Sequence, residues 1–185
     1  MAVAIVALIA AAVASVLATR GGETHATAIA ANAVGLIDTR SGHVSSQVPV
    51  GQAPTSVAVG EGAVWAANTT AGTVSRIDPR TRSLQPITVG ASPSGIAVGG
   101  GAVWVANHDD NSVSWINPQS NTVVRTIRVG AGPTAVAYGY GSVWVTNADD
   151  RTVTRIDADT GDVIKKAIPT NAVGRGIAVG AARSG

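Results

Sequence analysis

Five polar residues in two loops are the side chains of this sequence best placed to do chemistry. His108, Asp109 and Asp110 stand together in one loop, and Asp149 and Asp150 follow 40 residues after the two aspartates. Carboxylate oxygens that converge from neighbouring loops can hold a hard cation or the basic group of a ligand. Exposed Asp residues also occupy hairpin loops because they tolerate turn geometry. We predict these residues as a ligand-binding set, and the turn interpretation is the alternative.

Conventional catalytic motifs are absent from the sequence. It contains no nucleophile elbow, no Walker loop, no HExxH segment and no zinc-ligand spacing. There is no cysteine, so a thiolate metal site and a disulfide framework are both excluded. The sequence therefore predicts no catalytic residue, no metal ligand set and no cofactor.

The composition favours an all-β protein without a nucleic-acid partner. Glycine accounts for 22 of 185 residues and aromatic residues for only 3%, which suits short strands joined by tight turns. The formal charge is +2, from 13 Lys and Arg against 11 Asp and Glu, and the charges are scattered. Nucleic-acid binding normally needs a clustered basic surface, so we predict no such partner.

A repeated sequence motif indicates the structural elements that carry the polar loops. The strings GEGAVWAAN, GGGAVWVAN and GYGSVWVTN begin at Gly60, Gly99 and Gly139. Their tryptophans, which are 39 and then 40 residues apart, are Trp65, Trp104 and Trp144. A fixed period of this size indicates supersecondary units that bury their faces by stacking on their neighbours. We predict that the tryptophans pack between successive units.

Each period contains four strand signals in the same order. In the second copy they are PSGIAVG, AVWVAN, SVSWINP and VVRTIRVG, all rich in Val and Ile and bounded by Gly, Pro, Asn or Asp. Four strands in about 40 residues is the size of a propeller blade. At the end of the third strands, Asp78, Asn117 and Asp157 are predicted to start turns by bonding to nearby backbone amides.

The strand that precedes each loop predicts on which face of the propeller the polar residues of that loop lie. In an antiparallel blade, the loops after strands two and four emerge on one face and the other loops on the opposite face. The loops that carry Asp109 and Asp149 both follow a second strand. We therefore expect the carboxylates of adjacent blades to gather on one loop face.

The first and last recognisable parts of the repeat pattern each correspond to only part of a blade. AVGLIDT at 33–39 matches a third strand, and GRGIAVG at 174–180 matches a first strand. We predict an all-β fold, a β-propeller segment of four-stranded antiparallel blades, preceded by an N-terminal apolar helix. About three full blades, with partial blades at both ends, are expected within residues 32–185. The approximate repeats are 51–89, 90–129 and 130–169.

An apolar run precedes the repeats. Residues 2–18 are apolar or small, with Ser15 the one polar side chain. As a helix, this run would cover roughly 25 Å, close to the thickness of a bilayer core. We predict a transmembrane anchor or signal segment at 1–20 and a linker at 21–31; a cleaved secretory signal and a buried helix are the alternatives. The expected location is the cell membrane, with the propeller on the extracytoplasmic side, or outside the cell if the segment is cleaved.

The repeated strings resemble the YVTN-type β-propeller repeat family, in which VAVG-x-GAVWVAN and TVSRIDP-x-T recur. The resemblance covers residues 33–180 and implies a binding scaffold on a secreted or membrane-tethered bacterial protein. The strings are also similar, more weakly, to streptogramin lyase-like propellers, whose activity depends on His and Glu residues near a central Mg²⁺. The histidines of this sequence are His25, His43 and His108.

Together these observations predict a non-catalytic, membrane-tethered, extracytoplasmic propeller that belongs to a larger protein. Its expected partner is a protein, a glycan or a small ligand at the loop face, and the membrane is expected to contact the N-terminal helix. The alternative function is that of a streptogramin (virginiamycin B) lyase-like enzyme. A third possibility is a degenerate fragment with no independent function.

Overall fold

Four antiparallel sheets make up the described part of the chain. The computed structural model describes residues 3–4, 28–164 and 167–180, and within these ranges no residue is helical. The first sheet, the partial blade, contains β1 (Val3–Ala4), β2 (Ala33–Asp38) and β3 (Val44–Pro49). Blade 1 contains β4 (Pro54–Gly60), β5 (Ala63–Asn68), β6 (Thr73–Ile77) and β7 (Leu84–Thr88). Blade 2 contains β8 (Pro93–Gly99), β9 (Ala102–Asn107), β10 (Ser112–Asn117) and β11 (Thr122–Arg128). Blade 3 contains β12 (Pro133–Gly139), β13 (Ser142–Asn147), β14 (Thr152–Asp157) and β15 (Ile168–Pro169).

Blades 1 to 3 share one topology. Each is a four-stranded meander in which every strand pairs with the next along the chain. The turn between the first two strands uses positive φ, as at Glu61 (50°) and Gly62 (72°) in blade 1. Two successive residues with positive φ give the tight hairpin that matches the twist of the flanking strands. The all-β, propeller-like blades agree with the prediction from the sequence.

The predicted N-terminal apolar helix is wrong at the residues that can be compared. Val3 and Ala4 form β1, which pairs antiparallel with Asp38 and Ile37 of β2. A short apolar run rich in Val and Ala suits a strand as well as a helix, and the free edge of β2 supplies backbone partners. The rest of the predicted segment, residues 1–2 and 5–20, lies outside the described residues, as does 21–27 of the linker. In the described ranges, no helix of the length and apolarity needed to cross a membrane occurs.

The predicted first strand at 174–180 occupies the expected place without forming a strand. Thr134 Oγ1 donates to Gly174 O at 2.8 Å, just as Ser94 Oγ in blade 2 donates to Pro133 O at 2.8 Å. A first strand gains its ladder of hydrogen bonds from a second strand. Among the described residues no second strand pairs with this segment, so it lies against blade 3 as an extended connection.

The second strands of blades 1 and 2 are buried on both faces because each of these blades lies between two other sheets. Trp65 and Ala67 of β5 belong to the core shared with blade 2, whereas Val64 and Ala66 belong to the core shared with the partial blade. Successive side chains of a strand point to opposite faces, so alternate residues enter different cores. This explains why the repeated phrase is almost continuously apolar rather than alternating.

The predicted packing of the tryptophans between blades is confirmed for two of the three. Trp65 and Trp104 are fully buried, and their Nε1 atoms donate to Gly60 O at 3.0 Å and Gly99 O at 3.1 Å. Trp144 is partly exposed, and the Arg155 guanidinium lies 5.1 Å from its ring centre. The difference arises because no further blade covers Trp144 in the described chain.

The predicted turns at the ends of the third strands are confirmed. Asp78 Oδ1 accepts hydrogen bonds from the backbone amides of Arg80 at 2.7 Å and Thr81 at 2.9 Å. Asn117 and Asp157 accept the same pair of bonds in blades 2 and 3. These polar residues are therefore part of the turn structure.

Candidate functional site

An open cleft lies on the face where the loops after the second strands emerge. Its volume is about 640 Å³, within the range of about 300–1,000 Å³ typical of small-molecule sites. Hydroxyl side chains line it, together with charged side chains from two loops and from Arg175. The cleft therefore brings together residues from blades 1, 2 and 3 and from the segment at 174–180.

His108 and Asp109 form a hydrogen-bonded pair in this cleft. His108 Nδ1 lies 2.9 Å from Asp109 Oδ1, and Ser92 Oγ donates to Asp109 Oδ2. The bond from Ser92, followed by that from His108, lowers the pKa of Asp109 below its usual value of 3.8. Asp109 therefore stays ionised and engages Nδ1, which leaves the Nε2 of His108 as the ring nitrogen available to a ligand.

Asp149 and Arg175 are the two charged cleft residues whose side chains have no partner among the described residues. Neither side chain makes a hydrogen bond or an ion pair with any of the described residues, and both are exposed. Asp149 lies close against Gly132, where an added Cβ atom would be 2.4 Å from Asp149 Cγ. The cleft thus presents one carboxylate and one guanidinium that are free to bind groups of opposite charge.

The structure separates the predicted ligand-binding set into two groups. It places His108, Asp109 and Asp149 in the cleft, whereas Asp110 and Asp150 do not line it. Asp110 Oδ2 accepts the backbone amide of Ala91 at 2.6 Å, and Asp150 Oδ2 accepts that of Ala131 at 2.8 Å. Asp110 and Asp150 therefore hold the connection between blades. In the described part of the chain, no three His, Asp or Glu residues are close enough together to bind a metal ion.

A repeated hydroxyl group in the cleft was not predicted from the sequence. Thr55 Oγ1, Ser94 Oγ and Thr134 Oγ1 donate to carbonyl oxygens 38, 39 and 40 residues further along the chain, at 3.2, 2.8 and 2.8 Å. Each of these bonds joins the first strand of one blade to the start of the next. The repeat spacing of these Ser and Thr residues is the sequence signal that could have identified them.

A second missed feature is the asparagine that ends each second strand. Asn107 is fully buried, and its Nδ2 donates to Ser112 Oγ at 3.0 Å and Ser114 Oγ at 2.9 Å. Asn68 and Asn147 make the corresponding pairs of bonds in blades 1 and 3. Because His108 follows Asn107 directly, this bond pair fixes the start of the loop that carries His108 and Asp109.

No family model and no curated protein matches the sequence. Solved structures do match the fold. A streptogramin B lyase is 18% identical with a TM-score of 0.65, and the match covers 76% of this chain and 49% of the other. Hydrazine synthase from Kuenenia stuttgartiensis is 21% identical with a TM-score of 0.63, over 67% of this chain and 38% of that one. Sqt1 from Saccharomyces cerevisiae is 10% identical with a TM-score of 0.68, over 77% and 44%.

These structures define the class of fold. At identities of 10–21%, the likeness supports a propeller-like architecture and carries no activity with it. This chain spans less than half of the length of each of these three chains. The resemblance to the YVTN-type repeat family stays a prediction from the sequence.

Proposed function

We propose that this chain is a non-catalytic, membrane-tethered, extracytoplasmic propeller domain that binds a ligand at its loop face. The observation that carries the proposal is the open cleft with Asp149 and Arg175, two charged groups without partners in the described protein. A ligand that carries an ammonium and a carboxylate, such as a peptide with free ends, matches both. The support for membrane tethering is the apolar composition of residues 2–18, within which Val3 and Ala4 form β1.

A second candidate function is supported by the His108–Asp109 pair. A carboxylate bonded to Nδ1 orients an imidazole and leaves Nε2 able to act as a general base. The fold likeness to a streptogramin B lyase suggests streptogramin B as the substrate to test. The binding proposal is preferred because, among the described residues, no hydroxyl group of the cleft hydrogen-bonds to the His108 ring and no three His, Asp or Glu side chains could hold a metal ion.

Calorimetric titration of the full chain with trialanine tests the binding proposal. We expect trialanine to bind, and we expect Asp149→Asn and Arg175→Gln each to weaken binding about tenfold by removing one charge-assisted contact. The neutral sugar triacetylchitotriose should bind more weakly, since it carries neither charge.

Asp159→Asn is the matched control, because Asp159 is an exposed carboxylate in a turn after a third strand and lies outside the cleft. Equal loss of affinity in this variant, or no heat of binding with either probe, would contradict the proposal. The same preparation incubated with streptogramin B should return it intact. Cleavage that is lost in His108→Ala would establish the lyase function instead.

A further inference from the structure

The hydroxyl groups of the cleft direct their protons to other parts of the protein. Ser94 Oγ and Thr134 Oγ1 each donate to a backbone carbonyl oxygen at the start of the segment that follows their blade, both at 2.8 Å. Ser92 Oγ donates to the carboxylate of Asp109. A hydroxyl group has one proton and two lone pairs, so each of these oxygens can still accept a hydrogen bond but has no proton left to donate.

The two threonines that line the cleft from blade 1 follow the same rule. Thr55 Oγ1 and Thr69 Oγ1 lie 2.8 Å apart, and Pro93 O lies 3.2 Å from the first and 2.7 Å from the second. Whichever threonine donates to the other, the second proton goes to Pro93 O. Both protons are therefore engaged within the protein, and both oxygens keep a lone pair for a ligand.

His108 also presents an acceptor to the cleft when its ring is neutral. The ionised carboxylate of Asp109 can only accept a hydrogen bond, so the proton of the neutral ring lies on Nδ1, 2.9 Å from Asp109 Oδ1. The Nε2 atom then carries a lone pair and no proton. Together with the free carboxylate of Asp149, this atom extends the set of acceptors that line the cleft.

Arg175 is the exception to this pattern. In blades 1 to 3 the second residue of the first strand carries a hydroxyl group, namely Thr55, Ser94 or Thr134. The residue before Arg175 accepts the bond from Thr134, so Arg175 stands where these blades have the hydroxyl group. A guanidinium group has N–H donors and no acceptor. Among the cleft side chains that the structure describes, Arg175 is therefore the one whose donors have no partner in the protein.

The cleft thus offers many acceptors and one group of free donors. We propose, on the basis of the binding function proposed above, that the amino end of the ligand is the part that the cleft recognises. Its N–H groups bind the carboxylate of Asp149 and the hydroxyl oxygens, whereas Arg175 makes a lesser contact with the carboxylate end. The ligand class is therefore a compound with a free primary amine and further N–H donors, such as the amino terminus of a peptide.

Acylation of the amine is the change that such a site should reject. An acetyl group removes the positive charge and all but one of the N–H donors of the ammonium group, and it adds a carbonyl oxygen among acceptors. A polar group that loses water without gaining a partner costs more than the loss of one hydrogen bond. Amidation of the other end removes only the charge that Arg175 binds, so it should be tolerated better.

Calorimetric titration of the full chain with two singly charged derivatives of trialanine tests the inference. Trialanine amide keeps the free amine, and N-acetyltrialanine keeps the free carboxylate. We expect the amide to bind about tenfold more weakly than trialanine, and the acetylated peptide about a hundredfold more weakly. The affinity of N-acetyltrialanine, the weaker ligand, is measured by its competition with trialanine.

Thr69→Val tests the role of the hydroxyl oxygens. Valine keeps the shape of the side chain, and Thr55 Oγ1 can still donate to Pro93 O. The variant should therefore keep its fold, as measured by circular dichroism, and should bind trialanine amide about threefold more weakly. Thr126→Val is the matched control, because Thr126 is an exposed threonine of β11 outside the cleft, and it should bind this peptide as the wild type does.

The order of the two peptide affinities decides the inference. N-acetyltrialanine that binds as tightly as trialanine amide, or a Thr69→Val variant with wild-type affinity, would overturn the inference and leave ligand binding at the cleft intact. No heat of binding with unmodified trialanine would instead contradict the proposed function, and the inference with it.

Discussion

Two neighbouring aspartates in the loop after β9 make different contacts. Asp109 points its carboxylate at Ser92 and His108 in the cleft, whereas Asp110 bonds to the backbone amide of Ala91. Blade 3 repeats the division between Asp149 and Asp150. Asp110 and Asp150 bond to the connection between blades, whereas Asp109 and Asp149 line the cleft. At the level of single residues, the candidate site is smaller than the acidic sequence suggests.

The turn carboxylates predict a specific response to acid. Asp78 accepts the backbone amides of Thr81 and Arg80, which lower its pKa below 3.8, and the pKa values of Asp38 and Asp157 are lowered by equivalent bonds. A carboxyl whose pKa is lower in the folded state stabilises the fold above its unfolded pKa, and this is lost as the pH falls through the folded value. The triple Asp38→Asn, Asp78→Asn, Asp157→Asn variant should therefore lose less thermal stability than the wild type between about pH 5 and pH 2.

Thermal melts followed by circular dichroism over this pH range measure the effect. Near pH 7 the triple variant should keep its fold, because Asn117 already makes the same turn with bonds of 2.9 and 3.0 Å. Asp159→Asn is the control, since its carboxylate accepts no hydrogen bond among the described residues. Identical acid sensitivity in the triple variant and the wild type would show that these bonds do not contribute.

At the scale of elements, the end of each second strand packs against the connection that leads into the same blade. Gly90 lies flat on Asn107, so that a Cβ atom there would be 2.7 Å from Asn107 Cγ and 2.5 Å from Asp110 Oδ2. Gly51 and Gly130 have the same relation to Asn68 and Asn147. These glycines are required by close approach, since none of the three has positive φ. The contact positions the cleft loops relative to the next first strand.

Gly90→Ala should therefore destabilise the protein by about 1–3 kcal/mol, the usual cost of forcing an extra methyl group into a packed site. Chemical denaturation measures this change in the free energy of unfolding. Gly176→Ala is the matched control, because no atom lies within 4 Å of its Cβ position and its φ is not positive. It should be neutral or slightly stabilising. A cost equal to that of Gly90→Ala would refute the steric explanation.

At the scale of the whole molecule, stability is shared between repeated interfaces. Among the described residues, three apolar cores join the partial blade and blades 1 to 3, and each core lies between one sheet and the next. Blades of this kind stabilise one another through their nearest neighbours. In the described part of the chain, the partial blade and blade 3 each pack against one neighbouring sheet, whereas blades 1 and 2 each pack against two.

The sequence by itself determined the blades. Alternation of side chains, positive-φ turn residues and the Asx turns at Asp78, Asn117 and Asp157 act over a few residues, so the repeated phrase was enough to place the strands of blades 1 to 3.

Only the tertiary structure decided which polar residues share the cleft and which secondary structure the residues at the ends of the repeats adopt. The partners of Asp109 and Asp110 lie 17 and 19 residues away, and the hydroxyl of Ser94 bonds to a residue 39 positions distant. Val3 and Ala4 likewise became a strand because the edge of β2 was available to them. Local residue patterns do not encode such long-range contacts, because these form only when whole blades are brought together.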